Sequence, residues 1–339
     1  MSNPVLVHLT RGGIVESRHR GAFAVADAGG HLAAALGDIA SPIFPRSAIK
    51  AFQALPMVEK AADRFGFTEA EIALACASHC GEPEHVRTAR AMLARLGLSD
   101  ADLECGAHWP YDAEAQHALA AAGERPGAIH NNCSGKHAGM LALALALGVD
   151  LKGYTDVSHP VQRTIAATLR DLCGIDPAAQ PCGTDGCSVP TWAMPLEAWA
   201  QGFARFASGA GLPPERQRAA RRIMAAVRNH PFMVAGSERF CTRLMQAVPR
   251  AFVKTGAEGV FCGAIPHAGF GLAVKCDDGA GRAAEAIMAA LLAHLPAWTP
   301  DEEARLRSFA TVPVSNRAGL EVGQLRALES AFPPVTLAA

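Results

Sequence analysis

Strand-like segments lie at the two ends of this 339-residue chain, and helical patterns fill the long middle. That order restricts the folds open to it. Near the start, residues 22–27 and 31–36 flank an Ala-Gly-Gly turn and read as a hairpin. Late in the chain, residues 252–254, 259–265 and 269–275 read as short strands joined by tight turns, followed by a helix over 280–295. Strands from both ends can complete one antiparallel sheet, bringing the chain ends together. The expected class is α+β, with a sheet unit from 1–65 and 250–339 and an inserted, predominantly helical lobe over 66–249. A small-molecule pocket is expected at the seam of two such lobes.

Within the middle, Pro42 and Pro45 set up a helix from about Arg46 to Arg64, bent near Pro56. Thr68 and Glu71 have the spacing of a capping box opening a helix that ends near Ser78. Further helical patterns cover 84–96, 111–122, 135–147, 160–172, 196–207 and 214–229, while 181–195 is rich in turn formers and reads as a loop. Some strand is expected near residue 310 and helix over 322–329.

Half of the residues are hydrophobic, 19% are charged and the formal net charge is -1. Such a chain can bury a sizeable core, and nothing in its charge calls for a nucleic-acid partner. The start lacks a basic region followed by a long apolar segment, and the most apolar run, 138–147, is too short to span a bilayer. No membrane partner and a cytoplasmic location are therefore expected. Ten scattered cysteines fit reduced thiols better than a disulfide scaffold, with Cys76, Cys241, Cys262 and Cys276 as ordinary buried residues.

Three short stretches carry the chemistry: Ser47-Ala-Ile-Lys50, Ser78-His79-Cys80 and Lys254-Thr255-Gly256. Their order is that of serine amidohydrolases that use lysine as base. Ser47 and Lys50, three apart at a helix start, share a face. A lysine whose neutral form is favoured by burial and a nearby cation can take the hydroxyl proton, and Lys254 is a candidate for that cation. Ser78 can relay the proton to the leaving nitrogen. Taken singly, each stretch also reads as a helix cap, a helix end or a strand end.

A second cluster, His130-Asn-Asn-Cys133-Ser-Gly-Lys136-His137, precedes the apolar helix, and Asp185-Gly-Cys187 follows later. Cys133 and His137 are one helical turn apart, as metal ligands often are, and Cys187 can add a distant thiolate. Asp185, His130, Asn131 and Asn132 offer further polar contacts, and His79 reads as polar lining of a pocket. A capped helix with buried thiols is the plainer alternative, and a Cys133 nucleophile activated by Lys136 and His137 is another.

In these residues the chain resembles the asparaginase II family, typified by the rhizobial L-asparaginases. The resemblance runs through Pro45-Arg46-Ser47-Ala-Ile-Lys50, Ala77-Ser78-His79, His130-Asn-Asn132-Cys133-Ser-Gly-Lys136-His137-Ala-Gly139 and Asp185-Gly-Cys187-Ser-Val-Pro190. The His-Asn-Asn-Cys block is the most specific of these. The resemblance implies a serine β-lactamase and glutaminase-like fold, usually as a homodimer, and hydrolysis of L-asparagine to L-aspartate and ammonia. It implies Ser47 as nucleophile with Lys50, and Ser78 with Lys254 as a second pair. It also implies one zinc ion per chain held by Cys133, Lys136 and Cys187, with Arg46, His79, Asn132, His137 and Asp185 toward the substrate. Cys80 departs from the pattern, because related serine-lysine hydrolases generally carry asparagine there. A glutaminase, a β-lactam or peptide amide hydrolase, and a zinc-containing amino-acid-binding protein are the alternatives.

Overall fold

The computed structural model describes residues 2–333. It opens with strands β1 (Val5–Arg11), β2 (Ile14–Ala26), β3 (Leu32–Leu36) and β4 (Pro42–Ile43). Helices α1 (Lys50–Lys60), α2 (Glu69–Ala75), α3 (Pro83–Arg95), α4 (Ala113–Ala121), α5 (Ser134–Leu147) and α6 (Pro160–Cys173) come next. They are followed by β5 (Cys182–Thr184), β6 (Pro190–Trp192), β7 (Met194–Pro195), α7 (Leu196–Ser208), α8 (Pro214–Asn229), α9 (Pro231–Ala235) and α10 (Phe240–Ala247). The last elements are β8 (Phe252–Thr255), β9 (Val260–Ile265), β10 (Phe270–Cys276), α11 (Gly281–Ala293), α12 (Pro300–Ala310), β11 (Thr311–Ser315) and β12 (Glu321–Ala327).

These elements form two compact units. One takes the described residues up to Ala48, Met194–Ser208 and those from Leu244 onward; the other takes Ile49–Ala193 and Gly209–Arg243. The expected boundaries at 65 and 250 therefore shift. α1 joins the helical unit because it packs on α5, α6 and α8, and α7 joins the sheet unit because it packs on β10 and β2.

The sheet unit holds the α+β core, an antiparallel sheet ordered β11-β12-β1-β2-β10-β9-β8 with β3 added to β2. Strands from both chain ends meet in it, as β12 pairs with β1 in the register Val7↔Ala327 and Leu9↔Leu325. The helix expected over 322–329 is instead this strand. Leu325 and Ala327 are buried on either side of exposed Arg326, the two-residue period of a strand, and pairing to both β1 and β11 settles a segment too short to declare its own period. On β10, Gly271 lets α7 come close, because a Cβ there would collide with the Ala200 carbonyl. The rings of Phe203 and Phe252 then meet at 6.1 Å.

The helical unit is ordered around α1, whose residues from Lys50 to Val58 are all buried. Thr68 and Glu71 make the reciprocal capping box that opens α2. Gly135 seats the first turn of α5 against the end of α2, since a Cβ there would stand 2.5 Å from the Leu74 carbonyl oxygen. That close approach brings Cys133 and Lys136 beside the loop that carries Ser78. Residues 181–195, expected as a loop, contain β5 and β6 paired Cys182↔Trp192 and Thr184↔Pro190. Their turn carries Asp185 and Cys187, closed by Asp185 N–H to Val189 carbonyl at 2.8 Å.

All ten cysteines are free, and Cys76, Cys241, Cys262 and Cys276 are buried as expected. Among the described residues, no helix is long and apolar enough to cross a membrane.

Candidate functional site

Inside the helical unit, Lys50 begins α1 with its amine sealed from solvent. Nζ donates to the Ala77 carbonyl at 2.6 Å, to Ser78 Oγ at 2.9 Å and to Cys133 Sγ at 3.0 Å. Three acceptors match the three donors of an ammonium group, which is what burying such a charge demands. Ser78 itself is fixed by its backbone N–H to the Val234 carbonyl, 3.0 Å.

Cys133 is the residue before α5, held there by Asn131. The Asn131 side chain accepts from Cys133 N–H at 2.8 Å and donates to the carbonyls of Cys105 and Gly106. Lys136, one turn into α5, donates to Cys187 Sγ at 2.9 Å. A hydrogen bond from Cys187 and the charges of Lys50 and Lys136 hold the Cys133 thiol well below its usual range, against the opposing effect of burial. That shared hydrogen bond and burial keep the second proton of the pair on Cys187. Burial works against the Lys136 ammonium, but the neighbouring sulfur charges outweigh it and raise its pKa. Two lysine ammonium groups thus share the one thiolate charge of the cysteine pair, with Cys187 keeping its proton.

Around this cluster stand neutral, oriented imidazoles. His79 Nδ1 accepts from Gly81 N–H at 3.2 Å, so Nε2 donates to Ser134 Oγ at 2.9 Å. Burial holds His79 well below the usual imidazole range. Tyr154 Oη accepts from Glu104 N–H at 2.8 Å, which leaves its hydroxyl to donate to His137 Nδ1 at 2.7 Å. His137 Nε2 then carries the proton and, among the described residues, has no partner. Asn132 is placed by its backbone N–H, which donates to His108 Nε2 at 2.9 Å.

The structure therefore gathers Lys50, Ser78, Cys133, Lys136 and Cys187 into one contact network, with His79, Asn132 and His137 on the same α2–α5 framework and Asp185 on the Cys187 turn. The one-turn pairing of Cys133 with His137 is not used; Lys136 meets Cys187 and His137 turns to Tyr154. Cys80 also turns aside, its thiol donating to Glu82 Oε1 at 2.9 Å, with burial first and then Glu82 pushing its pKa to about 12. Sequence reading passed over His108 and Glu104, offered Asn131 only as a polar contact rather than as the clamp on Cys133, and gave no weight to Tyr154. The scarcity of tyrosine, two in the chain, was the available hint for the last.

Arg46, Ser47 and Lys254 belong to the sheet unit. Ser47 lies in the 3-10 turn Arg46–Ile49, which runs directly into α1. Arg46 has φ 51°, a left-handed conformation costing a non-glycine residue about 1–3 kcal/mol and concentrated at functional positions. Lys254 is completely buried in β8 and donates to the Thr255 carbonyl at 2.9 Å.

The model of the family described as L-asparaginase II matches residues 7–327. No curated protein sequence matches the chain. Among solved structures, a β-lactamase from Mycobacterium bovis aligns at 15% identity and TM-score 0.38 over 86% of this chain and 95% of that one. Mglu in its tris and glutamate form aligns at 17% identity and TM-score 0.35, over 84% of this chain and 61% of that one. A putative β-lactamase from Bacteroides dorei aligns at 12% identity and TM-score 0.37, over 76% of this chain and 84% of that one.

Proposed function

This chain belongs to the L-asparaginase II family, and we propose that it is an amidohydrolase converting L-asparagine to L-aspartate and ammonia. One observation carries the reading: a buried Lys50 amine stands 2.9 Å from the Ser78 hydroxyl, at the start of the helix that follows the Ser47 turn. Family membership supports the reaction class; this contact supports a lysine base and a serine relay for it.

In this reading Ser47 Oγ attacks the side-chain amide carbon of the substrate. Its proton passes to Lys50 Nζ and through Ser78 Oγ to the leaving nitrogen, so that ammonia departs and an ester on Ser47 remains. Water, deprotonated by the same amine, attacks the ester, and the Ser47 hydroxyl is restored as aspartate leaves. Lys254 is kept in this reading as the lysine of the family's second serine-lysine pair. Arg46 and Asp185 suit the carboxylate and amino ends of an amino acid, while His79, Asn132 and the unpartnered Nε2–H of His137 offer neutral hydrogen bonds.

The Cys133, Lys136 and Cys187 side chains suit zinc once Cys187 and Lys136 give up their protons: two soft thiolates and an amine, the thiolate charges balancing the ion. One such ion per chain would supply the positive charge that the ammonium groups now provide, and would orient the ends of the substrate. Lys50 is then free to act as an amine. A homodimer is part of the same proposal.

The test measures ammonia release from asparagine and glutamine, and turnover of a chromogenic β-lactam, with and without chelator, for wild type and Ser47→Ala. Asparagine hydrolysis that disappears in Ser47→Ala is the expected result. Near-normal turnover in that variant would end the serine reading. Amino-acid binding with no turnover of any amide would replace the enzyme by a binding protein.

A further inference from the structure

The reaction leaves Cys80 unused, yet its surroundings are as ordered as those of Cys133. Cys80, Glu82 and His85 each offer one ligand-type atom, and these atoms lie within 4.8 Å of one another. Cys80 and His85 are buried, and Glu82 is the residue before α3. The three come from a single loop and the first turn of one helix, so little chain entropy is lost in gathering them.

His85 supplies the decisive detail. Its Nε2 lies 3.1 Å from the Phe232 carbonyl, which can only accept, so Nε2 carries the proton and Nδ1 presents a bare lone pair. That Nδ1 is buried without a partner among the described residues. A buried acceptor left unmade costs about 1–3 kcal/mol, and here the ring cannot turn away from it. His79 stacks on one neighbouring side at 5.0 Å and Phe232 at 4.6 Å. A ligating histidine characteristically anchors its other ring N–H to a carbonyl in this way.

The carboxylate is oriented too. Ser237 N–H donates to Glu82 Oε1 and Ser237 Oγ to Oε2, both at 2.8 Å. Gly236 closes over the group, where any Cβ would collide with Cys80 Sγ and stand 2.8 Å from Glu82 Oε1. Only glycine leaves that space, and it does so at φ 117°, a conformation other residues rarely adopt.

We propose that Cys80, Glu82 and His85 form a second divalent-metal site, separate from the Cys133 cluster, for a cation of the zinc class. The cation takes Cys80 Sγ, one Glu82 oxygen and His85 Nδ1. The proton now shared between the thiol and Glu82 leaves to solvent, and thiolate plus carboxylate balance the two positive charges with no change of oxidation state. The site fastens the segment carrying Ser78 and His79, already tied by Ser78 N–H to Val234 and Cys80 N–H to Ala235, both at 3.0 Å. It accounts for a thiol at a position where related hydrolases generally place an amide.

Zinc per chain, counted after equilibration with Zn(II) and desalting, tests the site. Cys80→Ser and His85→Gln each hold one equivalent fewer than wild type, whatever the Cys133 cluster holds. Equal zinc in wild type and both variants overturns the proposal. Co(II) loaded into the Cys133→Ser/Cys187→Ser protein gives a thiolate-to-cobalt charge-transfer band. That band disappears when Cys80→Ser is added with the circular dichroism unchanged, and its absence from the folded parent overturns the site independently of the asparaginase reading. Glu82→Gln keeps an acceptor for Ser237 N–H and weakens Co(II) binding at least about tenfold; unchanged affinity removes Glu82 from the ligand set and with it the proposed site.

Discussion

The two units bury very different side chains. In the sheet unit the core is apolar, with Phe23, Phe252, Phe261 and Leu272 fully enclosed, and His19 and Lys254 as its buried polar or charged members among the described residues. In the helical unit Lys50, Glu71, His79, His85, Asn131, Lys136, His137 and Gln162 are all buried. An apolar core gains free energy from burial alone, about 25 cal/mol per Å². A buried ammonium instead costs free energy until acceptors surround it. Lys50 has three of them, and Lys136 has Cys187. One unit is assembled for stability, while the other accepts a structural cost to hold charge in place, as functional sites do.

Substitutions should separate chemistry from stability, also within the sheet unit, which carries Ser47 as well as its apolar core. The largest effect is expected at Ser47, where alanine lowers ammonia release at least about 10⁴-fold while the thermal midpoint moves by no more than a few degrees. Steady-state assay beside calorimetry checks it, and a midpoint collapse would assign Ser47 to structure. Phe261→Ala inverts the pattern. It removes a fully buried ring from β9 and destabilises by about 3–5 kcal/mol, with kcat of the folded fraction unchanged in urea-titrated samples.

Between these lies Gly135→Ala, which forces α5 off the Leu74 carbonyl and costs about 1–3 kcal/mol. Because Cys133 and Lys136 move with α5, turnover per folded molecule falls as well, unlike the Phe261 case. If turnover is unaffected, the α2–α5 contact does not position the site.

The smallest effect is a pH dependence in the sheet unit. Partial burial works against the Asp278 carboxylate, but hydrogen bonds from Cys276, Ala280 N–H and His19 hold its pKa at about 2. A depressed carboxylate contributes stability above its unfolded value and loses it as pH falls from about 4 toward 2. Asp278→Asn should flatten the fall in urea midpoint over that window, leaving the slope near neutrality unchanged. The carboxylate is half exposed, so solvent screening keeps the contribution small.

Much of the helical unit was legible. The Thr68–Glu71 capping box, the helix over 214–229 and the apolar run of α5 all write their signals within a few residues. The sheet was legible in its late strands and first hairpin, but not in β1 or β12, whose pairing joins residues more than 300 apart. Local pattern has no term for such a partner. Cys80 shows the same limit: its residue type marked a departure, yet the Glu82 and His85 environment emerged only when the 236–237 segment packed over it.

Chemistry that rests on residue type and short spacing was present in the chain before any folding: a serine three residues ahead of a lysine, the His-Asn-Asn-Cys block, the left- and right-hand ends of each helix. Which acceptors neutralise which cation was not. Lys50 finds Ala77, Ser78 and Cys133 at separations of 27, 28 and 83 residues, and Lys136 finds Cys187 across 51. A buried charge takes whatever partner the packing brings within about 3 Å, and packing is a property of the whole unit rather than of any stretch of sequence.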